Sequence, residues 1–104
     1  MSATAAAIIK EHSLVVFSKT YCGFCTKAKA ELNKVGAQYH LVELDKMGGG
    51  DALQSQIQKL SGIRTVPQVF LEGEFVGDSS EIRQKLSKGD FVQQLSEKGL
   101  IKTD

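Results

Sequence analysis

Two cysteines, Cys22 and Cys25, stand with two residues between them in the stretch SKTYCGFCTKAKAEL, and the chain has no others. Thiols at this spacing suit three kinds of chemistry: a structural disulfide, a metal clip or a redox couple. A disulfide between residues three apart closes so short a loop that it removes little entropy from the unfolded chain, which makes it a poor staple. A closed zinc site needs about four ligands. The chain offers two cysteines and two histidines, His12 and His40, and neither histidine stands at finger spacing; both read as structural or surface residues. A redox couple accounts for both thiols at once. At i, i+3 on a first helical turn the Cβ atoms lie roughly 5–6 Å apart. A disulfide needs about 3.5–4.5 Å, so a small adjustment lets one backbone host both dithiol and disulfide.

The second requirement is a reactive sulfur. A helix N-terminus, the cation of Lys19 three residues upstream and the first-turn N–H groups all favour a thiolate at Cys22. Gly23, unlike a proline, keeps its own N–H. Cys25 falls a turn further in, on the apolar face, and reads as less exposed and more basic. These arguments make Cys22 the attacking nucleophile and Cys25 the resolving thiol.

The elements that must position the pair are written in the apolar pattern. An opening helix spans Ala5 to His12 with Ile8 and Ile9 inward. The run LVVF, Leu14 to Phe17, reads as a strand buried on both faces. Apolar residues at Cys25, Ala28, Leu32 and Val35 trace an amphipathic helix that Gly36 stops, and Gln38 to Leu44 returns to strand. Gly48 to Gly50 lacks the ending of a phosphate loop and reads as a flexible turn. Asp51 then caps a helix with Leu53, Ile57 and Leu60 on one face, ended by Gly62. QVFLEGEFV is a hairpin signal around Glu72-Gly73. Closing helices follow at about Ser80 to Leu86 and from Asp90, its own cap, to Glu97. Strand, helix, strand, helix, hairpin and helix make an α/β sandwich: a mixed four-stranded sheet flanked by helices on both faces. The thiol pair falls at the carboxyl end of the first strand, where open α/β sheets place ligands.

Length and charge narrow the function classes. At 104 residues the chain is the size of one domain, 1–104, able to bury a core without disulfides. Thirteen basic against twelve acidic side chains give no basic excess of the kind that nucleic-acid or membrane surfaces favour, and no apolar run nears the ~20 residues of a bilayer span. The start MSATAAAIIKEHS has no basic n-region, which argues against a secretory signal. A cytoplasmic protein is expected, with the mature start of an organellar matrix or stromal protein as the alternative.

A C-x-x-C beside a βαβ pattern carries a thioredoxin-like redox reading, and the finer detail resembles the dithiol glutaredoxins. KTYCGFC (Lys19 to Cys25) is similar to their active-site segment, RTVPQVF (Arg64 to Phe70) to their second motif and GEFVGDSSE to their third, in the same order over nearly the whole chain. The absence of tryptophan argues against thioredoxin proper. The resemblance implies a thioredoxin-like three-layer sandwich and a glutathione-dependent thiol–disulfide oxidoreductase acting on glutathionylated and disulfide-containing proteins. It implies glutathione as reductant, no organic prosthetic group, no nucleic-acid or membrane partner, and a monomer. It also implies a glutathione groove. Lys19 and Gln54, with Arg64 assisting, would hold the glycine carboxylate, and Tyr21 would flank the sulfur. Thr65 and Val66 precede Pro67, which is cis in the family and presents the Val66 backbone to the cysteinyl part. Gly77, Ser79 and Ser80 would receive the γ-glutamyl carboxylate at a helix N-terminus.

Several of these residues also have a plainer reading. Gln54 completes a capping box with Asp51, Lys19 and Arg64 are solvated charges, Ser79 or Ser80 is an N-cap, and Tyr21 is packing. Two departures from the family pattern stand out. Gly23 and Phe24 replace the familiar proline and tyrosine, and variants without that proline more often share a [2Fe–2S] cluster across a glutathione-bridged dimer, with Cys22 as ligand. That carrier or sensor is the alternative function. Asp78 stands where a second glycine is common, and its carboxylate would repel the γ-glutamyl carboxylate unless turned outward.

Overall fold

Every side chain of β1 (Leu14–Ser18) is buried, because helices cover both faces of the sheet it centres. The computed structural model describes residues 4–102. Around β1 the chain builds α1 (Ala5–Glu11), α2 (Gly23–Lys34), β2 (His40–Glu43), α3 (Gly50–Ser61), β3 (Gln68–Leu71), β4 (Glu74–Gly77), α4 (Ser79–Lys88) and α5 (Asp90–Glu97), with a 3-10 turn at Leu44–Lys46. The sheet order is β2-β1-β3-β4. β1 runs parallel to β2, with Val16 opposite Leu41, and antiparallel to β3, with Val16 opposite Val69. β4 completes the antiparallel side through the Glu72-Gly73 turn, whose two residues both take positive φ, 49° and 87°, as a tight two-residue hairpin turn requires.

Strand alternation divides the core between the two faces. Val15, Phe17, Val42 and Phe70 pack under Ile8 and Ile9 of α1 and Leu53 and Ile57 of α3. Leu14, Val16, Val69 and Leu71 pack under Leu32 of α2, Ile82 and Leu86 of α4, and Phe91 and Leu95 of α5. The result is the expected three-layer arrangement. Among the described residues no helix is long and apolar enough to cross a membrane.

Four local expectations fail. The glycine run is not merely a flexible turn: Gly49, at φ 82°, is the N-cap of α3, and Gly50 is already helical and buried. A Cβ on Gly50 would sit 1.9 Å from the Leu44 carbonyl oxygen, so the close approach of α3 to the turn after β2 requires glycine there. Asp51 is consequently a first-turn residue and not the cap. Leu60, expected on the inner face of α3, is 54% exposed and lines an open cleft with Ile9 and Gly73. Asp90 likewise lies inside α5, whose N-cap is Gly89.

Candidate active site

α2 begins two residues before its apolar stripe, and its N-cap is Cys22 itself. The Cys22 Sγ accepts the backbone N–H of Cys25 at 3.2 Å, doing with sulfur what a serine or aspartate oxygen does at an ordinary cap. On its other side the Cys22 thiol lies 3.6 Å from the Val66 carbonyl oxygen, to which it donates. Both thiols are free, Cys22 half-buried and Cys25 buried. Burial is the largest influence on Cys25 and pushes its thiol up to about 11, helped by the Cys22 side chain; the Lys19 backbone and the Ser18 hydroxyl partly offset the rise. The two sulfurs are thus chemically distinct: one at a helix N-terminus within reach of solvent, the other shut in and hard to ionise.

Two supports hold this geometry. Before Cys22, Asp45 accepts the Thr20 backbone N–H at 2.9 Å and the Thr20 hydroxyl proton, fixing the end of the β1–α2 loop. These bonds hold the exposed Asp45 carboxyl below its usual range. Opposite Cys22, the Val66–Pro67 peptide bond is cis. The segment ahead of it is held from below by Gln68, fully buried, whose Nε2 donates to Ile63 O at 2.8 Å and Thr65 O at 2.9 Å. Its Oε1 is buried without a partner.

Beside the thiol runs a groove of about 410 Å³ lined by Phe24, Thr65, Val66, Pro67, Asp78, Ser79 and Ser80. α4 enters it N-terminus first. Asp78 is the cap of α4, in a capping box: its Oδ1 accepts the Glu81 N–H at 3.1 Å, and the Glu81 carboxylate accepts the Asp78 N–H at 3.3 Å. Asp78 therefore displaces Ser79 and Ser80 from the cap role, and its carboxylate is engaged along its own helix.

The residues singled out in the sequence fall into three groups. Thr65, Val66, Pro67, Ser79 and Ser80 come together in the groove. Lys19 and Tyr21 lie on the loop ahead of Cys22, with the Lys19 Nζ 5.9 Å from the Tyr21 ring and Tyr21 74% exposed. Gln54, Arg64 and Gly77 sit outside the groove. Gln54 makes no capping box with Asp51; it is buried and its Nε2 donates to Arg64 O at 2.9 Å, tying α3 to the loop before Pro67. The Arg64 guanidinium donates to Gln58 Oε1 at 3.2 Å and Ser55 Oγ at 3.4 Å, both neutral, and no acid among the described residues pairs with it. At Gly77 a Cβ would meet the Glu81 Cβ at 2.6 Å, so glycine is needed for α4 to turn back against β4.

Sequence reasoning passed over Asp45 and Gln68. Asp45 lies 25 residues from Thr20, and no spacing rule connects them. Gln68 carried one signal, a polar residue opening an apolar strand.

Comparison with known proteins places this geometry. The glutaredoxin family model matches residues 14–76. A glutaredoxin of Ricinus communis is 39% identical over 94 residues, covering 90% of this chain and 92% of the relative. Among solved structures, the buckwheat glutaredoxin–glutathione complex superposes with a TM-score of 0.88 at 40% identity, over 94% of this chain and 89% of that one. The holo form of glutaredoxin C1 from Populus tremula x tremuloides superposes with a TM-score of 0.84 at 38% identity, over 89% and 92%.

Proposed function

The chain belongs to the glutaredoxin family, and from that premise we propose how its own residues carry out glutathione-dependent thiol–disulfide exchange. The Cys22 thiolate attacks the glutathione sulfur of a protein–glutathione mixed disulfide. The S–S bond breaks, the protein sulfur leaves and takes a proton, and a Cys22–glutathione disulfide forms. The thiolate of a second glutathione then attacks the glutathione sulfur of that adduct, giving glutathione disulfide and restoring the Cys22 thiolate. Atoms and electrons balance over the two exchanges with glutathione as the reductant.

The observation that carries this reading is the contrast between the sulfurs: Cys22 is a half-buried helix cap, whereas Cys25 is fully buried with its thiol raised to about 11. Resolution by Cys25 requires it to ionise. Once Cys22 is in a mixed disulfide its influence on Cys25 falls away, but burial, the larger cause, persists. The route through external glutathione is therefore the easier one, and the dithiol route serves protein disulfides.

The groove offers places for the ends of glutathione. Ser79 and Ser80 bring first-turn N–H groups of α4, which suit the γ-glutamyl carboxylate. The Val66 backbone faces the cysteinyl part. Lys19 and Arg64 supply positive charge for the glycine carboxylate, with Gln54 acting through Arg64 O and Tyr21 flanking the sulfur. Gly77 contributes by letting α4 approach.

A second reading, a [2Fe–2S] carrier, is favoured by the likeness to the Populus glutaredoxin C1 solved in a holo form. Among the described residues no group of three or more His, Cys, Asp or Glu side chains could hold a metal. Cys22 fits such a cluster only as one ligand per chain, which calls for a second copy and for glutathione thiols.

The deciding experiment is reduction of a glutathionylated peptide by the Cys25→Ser variant with glutathione as sole reductant. Retained turnover is expected. Lost turnover with the wild type active would make Cys25 obligatory and overturn the glutathione-first route.

A further inference from the structure

At the end of β1 remote from Cys22, where α1 ends and β2 begins, two imidazoles meet that the exchange reaction does not use. His12, the C-cap of α1, and His40, the first residue of β2, stack with ring centroids 3.8 Å apart and planes within 3° of parallel. They line a cleft of about 340 Å³ together with Glu11 and Tyr39. We propose that His12 and His40 form a two-imidazole site for a first-row divalent transition-metal ion such as Zn²⁺, with water completing the coordination shell.

The spacing supports it. Two imidazole nitrogens each about 2.0–2.1 Å from a tetrahedral Zn²⁺ are about 3.3–3.4 Å apart. Ring centroids 3.8 Å apart keep the two imidazoles close enough for one nitrogen of each to reach that spacing once the stack opens. In the stack the in-plane lone pairs lie in parallel planes, so closing on one ion requires the rings to leave the stack and turn until their lone pairs converge. The backbones are already fixed: the His12 N–H donates to Ile8 O at 3.2 Å, and His40 is in register with Val15. Imidazole is the ligand type that zinc, copper and nickel share, and the Glu11 carboxylate in the same cleft favours a cation. Because no third His, Cys, Asp or Glu among the described residues joins the pair as a ligand, the ion would be water-exposed and exchangeable, unlike the closed shell of a structural site.

The test is a ZnCl₂ titration of the Cys22→Ser/Cys25→Ser protein, in which the competing thiols are gone. These are the only two histidines in the chain, so their imidazole C–H signals can be followed by NMR without ambiguity. Both sets should move or broaden together and saturate at one zinc per chain. His12→Phe and His40→Phe each keep an aromatic ring in the stack but remove a ligand nitrogen, and each should lose the saturable binding seen by calorimetry. Signals that stay in place as zinc is added, or a Phe variant that binds zinc with unchanged affinity, would overturn the site. The NMR result needs no histidine variant, so it decides the matter even where a Phe variant fails to fold.

Discussion

Reduced protein treated with iodoacetamide at pH 8 should be modified once, at Cys22, and the second adduct should lag far behind. With its thiol raised to about 11, Cys25 holds roughly one thiolate in a thousand at pH 8, against about one in four for an ordinary cysteine of pKa ~8.5. Ionisation alone therefore slows it roughly 200-fold, and complete burial adds to the delay. Alkylating Cys22 removes one contribution to the raised value but leaves burial, the largest, in place. The sign is fixed by the direction of the shift: the rate of the second adduct should climb about tenfold per pH unit from pH 8 to 10, since the thiolate fraction does. Intact mass against time gives both rates, and peptide mapping assigns them. Doubly modified protein appearing alongside the single adduct at pH 8, or first modification at Cys25, would refute the claim that the sulfurs are separated by burial.

Two side chains away from the thiols give further tests. Gln68→Leu removes both donors to the loop before Pro67 and should cost about 1–3 kcal/mol in urea unfolding, with a raised KM for glutathione as the Val66 segment loosens; unchanged stability would contradict the clamp. Asp78→Ala removes the α4 cap and should cost about 1 kcal/mol, whereas Asp78→Asn keeps a cap and loses only the charge. Both should lower the KM for glutathione by relieving repulsion at Ser79 and Ser80, and an unchanged KM in Asp78→Asn would show that the carboxylate is turned fully away.

Local signals made much of the fold legible. Leu14 to Phe17 reads as a strand covered on both sides, and Glu72-Gly73 between β-prone runs reads as a hairpin turn. What sequence reasoning lost was set by contacts between distant segments. Gly48 to Gly50 looked like slack because nothing nearby reveals that Leu44 O approaches the Cα of Gly50. Leu60 fits the helical period but lies outside the packed face, a matter of where α3 sits on the sheet. At the site, the groove residues Thr65 to Pro67 and Ser79-Ser80 were found from contiguous motifs, whereas the Thr20–Asp45 and Gln68–Ile63 links were not, since they serve the backbone and carry no chemistry of their own.

Cys22 is where the two levels of reading converge. Apolar periodicity starts α2 at Cys25, and the structure starts it at Gly23 with Cys22 as the cap. The discrepancy arises because the capping atom is a sulfur, which sequence rules for helix starts, written for serine, threonine, aspartate and asparagine, do not count. The same atom is the proposed nucleophile, so the bond that begins the helix also acts on the reaction. An N–H donated to sulfur is stronger when the sulfur is anionic. The Cys25 N–H at 3.2 Å is therefore aimed at the atom on which negative charge develops when glutathione attacks the adduct and Cys22 leaves. Helix α2 is capped by the free Cys22 sulfur, a weaker acceptor once tied into a mixed disulfide, which biases the cycle toward release.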